Sequence, residues 1–296
     1  MLMFKRMLIL TAALAAFAAG WLGRGLVRDR AELDGRAPAL ASVVPVGVYA
    51  RSGVEAGPAP VPAARDPFAR HDSVGVLLAR HFNKPARVQA VDDYLLYLPP
   101  GVERGDRRWP VILYLHGRSL RGDDLSMLRR YGLPRYLADG REMPFIVVAP
   151  QLPGGQSWTD VDRLAELLED VLGHYPADRD RVYVTGYSMG GGGTWRMALA
   201  YPQLFAAAAP MAANTPEPSS EWTRALAHLP MRVFHGTADE AVPFAPARTM
   251  VEALRGAGLD VELQAFQGAG HGDLTTIYGQ PGLYDWFLAH RRSAQD

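Results

Sequence analysis

The segment Gly186-Tyr187-Ser188-Met189-Gly190 sets a serine between two glycines, after the apolar run Arg181 to Thr185 and before a stretch of helical composition. A serine in that context sits on a sharp strand-to-helix turn with its hydroxyl lifted clear of the sheet, and the glycines are needed because strand and helix crowd together there. A serine hydroxyl is a weak nucleophile at neutral pH. It needs a base to take its proton and a carboxylate to hold that base in the correct tautomer. Both occur downstream in the order such a turn requires, Ser then acid then His. Asp239 ends Gly236-Thr237-Ala238-Asp239, 51 residues after Ser188, and His271 lies in Gly268-Ala269-Gly270-His271-Gly272, 32 residues further on.

Other residues fit these roles less well. His235 falls within an expected strand, His228 and His290 in helical segments, and His174 before a proline-containing loop, so each reads as structural. Asp260, Asp273 and Asp285 lie at turns or helix edges, and Glu240 is the alternative acid. A tetrahedral intermediate needs amide donors aimed at its oxyanion. One is the N–H of Met189, the residue after the serine. The other is expected from His116-Gly117-Arg118-Ser119, and is assigned to the N–H of Arg118. His116 reads as a pin for that loop. Trp158 is expected at the rim, against the acyl chain or leaving group, with core packing as the alternative. The glycine run ending at Gly193 is followed by no Lys-Ser or Lys-Thr, so a phosphate-binding loop is discarded.

These residues call for a scaffold that presents strand ends on one side, and the sequence alternates in that way. Strands are expected at Val88 to Leu98, Val111 to Leu115, Phe145 to Ala149, Arg181 to Thr185, Phe205 to Ala209, Met231 to His235 and Val261 to Phe266. Helices are expected at Asp124 to Ala138, Val161 to Leu172, Met189 to Tyr201, Phe244 to Ala257 and Leu283 to Arg291, with a weaker one at Val74 to His81. Runs such as Val111-Ile112-Leu113-Tyr114-Leu115 are apolar at nearly every position, as in strands buried on both faces. This is an α/β pattern, a doubly covered and mostly parallel sheet whose ligands bind at the carboxyl ends of the strands. Between Pro210 and Met231 there is room for one short helix, expected at Glu217 to His228, which leaves no apolar lid.

The chain has 296 residues, 48% of them hydrophobic, enough for one large domain with a tail. Lys plus Arg and Asp plus Glu are both 31, so no global field draws it to nucleic acid. With no cysteine, disulfides, thiol nucleophiles and zinc ribbons are excluded. Lys5 and Arg6 precede the uncharged stretch Met7 to Gly23, in which Ala16-Phe17-Ala18 has the small-x-small form of a cleavage site. Residues 1–23 therefore read as an export signal, cleaved near Ala19 or retained as an anchor, the one route to a membrane. Residues 24–86, with Gly57-Pro58-Ala59-Pro60-Val61-Pro62, read as a linker or an extended N-terminal wrap, and 87–292 as the catalytic domain.

The runs Tyr114-Leu115-His116-Gly117, Val148-Ala149-Pro150-Gln151, Gln156-Ser157-Trp158, Asp180 through Gly191, His235-Gly236-Thr237-Ala238-Asp239 and Gly270-His271 resemble the α/β-hydrolase esterases. Within these they are similar to the predicted-peptidase or phospholipase/carboxylesterase group, near the dienelactone hydrolases and the feruloyl-esterase and polyhydroxybutyrate-depolymerase-like enzymes. The resemblance covers residues 87 to 292. It implies the α/β-hydrolase fold with Ser188 as nucleophile, Asp239 as acid and His271 as base; the short Pro210 to Met231 connection leaves no large cap domain, and no cofactor or metal is expected. The activity it implies is hydrolysis of a small-molecule or polymeric carboxylic ester through an acyl-enzyme, and the export signal places that activity in the periplasm or outside the cell. A peptidase acting on small peptides and an inactive binding protein on the same fold are the alternatives. Arg118 departs from the group, in which a small residue often follows the His-Gly of that loop.

Overall fold

The structure, a computed structural model, describes residues 75–82 and 92–292. The expected export signal and most of the expected linker lie outside the described residues. Eight strands form one sheet: β1 (Val76–His81), β2 (Asp93–Leu98), β3 (Trp109–Leu115), β4 (Ile146–Pro150), β5 (Ala177–Tyr187), β6 (Ala207–Met211), β7 (Met231–Gly236) and β8 (Val261–Phe266). Their order is β1-β2-β4-β3-β5-β6-β7-β8. The pairs β1–β2 and β2–β4 are antiparallel, and the remaining pairs are parallel.

Every residue of β3 is buried. The reason is the period of two along a strand: Val111, Leu113 and Leu115 join the apolar cluster on one side of the sheet, Ile112 and Tyr114 the cluster on the other. The first side is covered by α2 (Val161–His174), α3 (Met189–Ala200), α4 (Ser220–Ala225) and α5 (Phe244–Gly256), the second by α1 (Leu133–Ala138) and α6 (Pro281–Leu288). In α2 the stripe Leu164, Leu167, Leu168, Val171 and Leu172 is buried, the 3-and-4 spacing of a helix laid on a core, and Asp160 caps its first turn by accepting from the Arg163 N–H at 3.0 Å.

Three expected elements differ. Of the segment expected as a helix from Val74 to His81, Val76–His81 is the edge strand β1, in register with β2 from Val76 opposite Leu98 to His81 opposite Asp93, and Val74 lies outside the described residues. The sheet thus reaches back into the stretch expected as linker. The helix expected over Asp124 to Ala138 is two pieces, a 3-10 turn Leu125–Arg130 and α1, because Gly132 stands at φ 73° between them. The helix expected over Glu217 to His228 is the six-residue α4. Among the described residues no helix is long and apolar enough to cross a membrane.

Candidate active site

Three side chains meet at the carboxyl ends of the parallel strands. Ser188 follows β5 directly, Asp239 lies three residues past β7, and His271 lies five past β8. Ser188 has φ 57° and ψ −115°, a backbone conformation an L-residue holds only under constraint. The constraint is visible on both sides. The Ser188 N–H donates to the Met211 carbonyl at the end of β6 at 2.9 Å, and a Cβ on Gly190 would lie 1.8 Å from the Leu115 carbonyl oxygen. Only glycine lets α3 start this close to β3. Ala212, next to Met211, is the other non-glycine residue at positive φ among the described residues, at 44°.

Ser188 Oγ is 2.9 Å from His271 Nε2, and His271 Nδ1 is 2.7 Å from Asp239 Oδ2. A carboxylate can only accept, so Nδ1 carries the imidazole proton and Nε2 is free to take one from the serine. The Asp239 side chain is fully buried. Its other oxygen, Oδ1, accepts from the N–H groups of Ala241 at 3.0 Å and Val242 at 2.8 Å, which fixes the carboxylate plane. His235 Nε2 donates to the Val242 carbonyl at 3.0 Å and stands 3.5 Å from Asp239 Oδ2. It packs behind the carboxylate, while the expected alternative acid, Glu240, is exposed.

Met189 opens α3, and the first helical bond runs from the Gly192 N–H to the Ser188 carbonyl at 3.1 Å. The Met189 N–H is therefore one of the donors a helix leaves free at its start. Arg118 opens a 3-10 turn, Arg118–Leu120, just after β3, and its side chain is exposed. His116 holds this loop. Its Nδ1 donates to the Gly117 carbonyl at 2.7 Å and its Nε2 accepts from the Leu152 N–H at 3.0 Å. Burial pulls its imidazole down to about 4, so it stays neutral and cannot serve as a proton carrier near pH 7.

Trp158 is a correction. It is 1% exposed, its Nε1–H donates to the His116 carbonyl at 2.9 Å, and its ring meets the His116 ring edge-on at 4.9 Å. The tryptophan is in the core beneath the loop and cannot reach a substrate at the rim. Two residues near the site went unassigned in the sequence. Asp273 accepts from the Gly270 N–H at 2.8 Å and so caps the loop carrying His271, and Tyr187 bonds that loop from β5. Asp273 had a readable signal, an acid two residues after His271, whereas Tyr187 is 84 residues away in the chain. Among the described residues no three His, Asp or Glu side chains converge as metal ligands.

Residues 151–277, which hold all three of these side chains, match the dienelactone hydrolase family. Over 246 residues the chain is 29% identical to NocK of Nocardia uniformis subsp. tsuyamanensis, a protein described as an esterase, covering 72% of this chain and 68% of that one. It is 26% identical over 209 residues to a poly(3-hydroxyoctanoate) depolymerase of Pseudomonas fluorescens, covering 62% and 74%. The crystal structure of a thermostable esterase superposes with a TM-score of 0.63 at 28% identity, covering 73% of this chain and 63% of that chain. The fold is the α/β-hydrolase fold, and the comparisons support a carboxylic ester hydrolase of the dienelactone hydrolase and esterase type.

Proposed function

We propose that this α/β-hydrolase, with its dienelactone hydrolase family match over residues 151–277, cleaves carboxylic esters through an acyl-enzyme on Ser188. The observation that carries the reading is the unbroken chain of contacts from Ser188 Oγ to His271 at 2.9 Å and from His271 to Asp239 at 2.7 Å. Ser188 Oγ attacks the ester carbonyl while His271 Nε2 takes its proton. The Asp239 carboxylate stabilises the imidazolium that forms. The negative charge on the former carbonyl oxygen is met by the N–H groups of Met189 and Arg118. His271 then gives its proton to the departing alkoxide, and the alcohol leaves. Water repeats the sequence on the acyl-enzyme with His271 as base, releasing the acid and restoring Ser188.

The route to the serine supports a soluble substrate. Ser188 is half-buried, and the stretch between β6 and β7 carries only the six-residue α4. The basic start and uncharged stretch of residues 1–23 support export to the periplasm or beyond. A panel of p-nitrophenyl esters, feruloyl esters and peptide anilides tests the activity. Turnover of esters with little or none of anilides agrees with the proposal, and turnover of anilides alone contradicts it.

A further inference from the structure

Tyr187 touches His271 and the loop that carries Arg118. Its hydroxyl donates to the main-chain carbonyl of His271 at 2.9 Å, and its ring lies 5.0 Å from the imidazole, tilted by 39°. A Cβ on Gly117 would come within 3.2 Å of the Tyr187 Cδ1, so the loop that presents the Arg118 N–H is packed on the same ring. The side chain is 7% exposed, and burial pushes its phenol well above the ordinary value, which leaves the hydroxyl a donor at every working pH.

The loop carrying His271 needs such a brace. It leaves β8 at Phe266 and has glycine at 268, 270 and 272. On the β7 side it is held by the Ala238 N–H to the Ala269 carbonyl at 3.1 Å and by the Gly268 N–H to Thr237 Oγ1 at 2.9 Å. At His271 itself the bond comes from Tyr187, the residue covalently joined to the nucleophile. A base must lie within roughly 2.6–3.2 Å of the hydroxyl it deprotonates, and an error of about 1 Å can cost on the order of 10²-fold in rate.

We propose that Tyr187 is a positioning residue for His271, its hydroxyl and ring setting the distance from the base to the serine on the next residue. The proposal rests on the reading of Ser188 as nucleophile and His271 as base. Tyr187 reaches no reacting atom, and its hydroxyl acts through His271 alone.

The test is a cycle of four proteins, the wild type, Tyr187→Phe, His271→Ala and the double variant, with kcat and KM measured on a soluble p-nitrophenyl ester. Ser188→Ala is run beside them. Tyr187→Phe keeps the ring and removes one hydrogen bond, for an expected loss of roughly tenfold in kcat with KM within about twofold. In the His271→Ala background the same change is expected to alter the residual rate by less than about twofold, since nothing is left to position. An unchanged kcat in Tyr187→Phe, or the same fractional loss in both backgrounds, overturns the positioning role and leaves the reading of the site standing. A wild type without ester turnover, or a Ser188→Ala protein that retains it, overturns both. If Tyr187→Phe does not fold, Tyr187→Leu takes its place; because it also removes the ring under Gly117, a loss greater in the native than in the His271→Ala background supports the positioning role, and an equal fractional loss overturns it.

Discussion

Replacing Asp239 by asparagine changes one atom, and the surrounding hydrogen bonds decide what that atom does. Oδ1 faces two donors, the N–H groups of Ala241 at 3.0 Å and Val242 at 2.8 Å, while Oδ2 faces His271 Nδ1 at 2.7 Å. An asparagine has one oxygen, and the two main-chain donors claim it. Its NH₂ group must then point at His271, so Nδ1 becomes the acceptor and the imidazole proton moves to Nε2, the atom that should accept from Ser188. Recovering the working tautomer means turning the amide over and leaving two N–H groups, that of Val242 buried and that of Ala241 partly so, facing an NH₂. At roughly 1–3 kcal/mol each, that costs about 2–6 kcal/mol. At about 1.4 kcal/mol per decade, kcat/KM should fall by roughly 30-fold to 10⁴-fold, a range that includes the loss of about 10⁴ known for the same change in a serine protease triad. The assay is kcat/KM on a p-nitrophenyl ester, with thermal melting to show that Asp239→Asn folds. A loss under about threefold, or a larger loss in Glu240→Gln, would mean that Asp239 is not the carboxylate that orients His271.

Three further outcomes follow from the same geometry. His116 is buried and neutral, with its pKa pulled from an ordinary 6.5 to about 4. The unfolded chain therefore binds a proton that the folded one refuses between those values, and stability is full above pH 6.5 and falls as the pH drops, by about 3 kcal/mol at pH 4; urea unfolding at pH 4.5 and 7 should show a pH dependence smaller by most of that amount in His116→Gln, and equal slopes would count against it. Trp158→Phe should lower the melting temperature through loss of about 1–3 kcal/mol while leaving KM unchanged, whereas a several-fold rise in KM in a stable protein would return Trp158 to the rim. With only α4 between β6 and β7, rate against ester concentration should saturate smoothly through the solubility limit, and a sharp jump at the onset of emulsion would reveal a lid.

The central strands were legible because β3 throughout, and β5 from Val182 to Tyr187, are buried on both faces, which writes short, mostly apolar runs into the sequence. The candidate triad was legible for a related reason. Each of its members stands within five residues of a strand end, so placing the strands placed Ser188, Asp239 and His271 at the carboxyl edge of the sheet. The edge strand β1 was not legible. Its residues are mostly half-buried, with no period of two to read, and pairing with β2 decides its conformation. The break before α1 had a signal that was passed over, Gly132-Leu133-Pro134, where a glycine outside the helix is followed by a proline tolerated only in its first turn. Trp158 had none. Its burial depends on the His116 carbonyl, 42 residues away, and the bond from Tyr187 to His271 spans 84.

Intact-mass analysis after reaction with a fluorophosphonate, followed by peptide mapping, tests Ser188 as the nucleophile most directly. One adduct per chain is expected, carried by Ser188 and absent from Ser188→Ala. Stoichiometric labelling at any other serine, or no labelling of a folded protein that turns over esters, would contradict it.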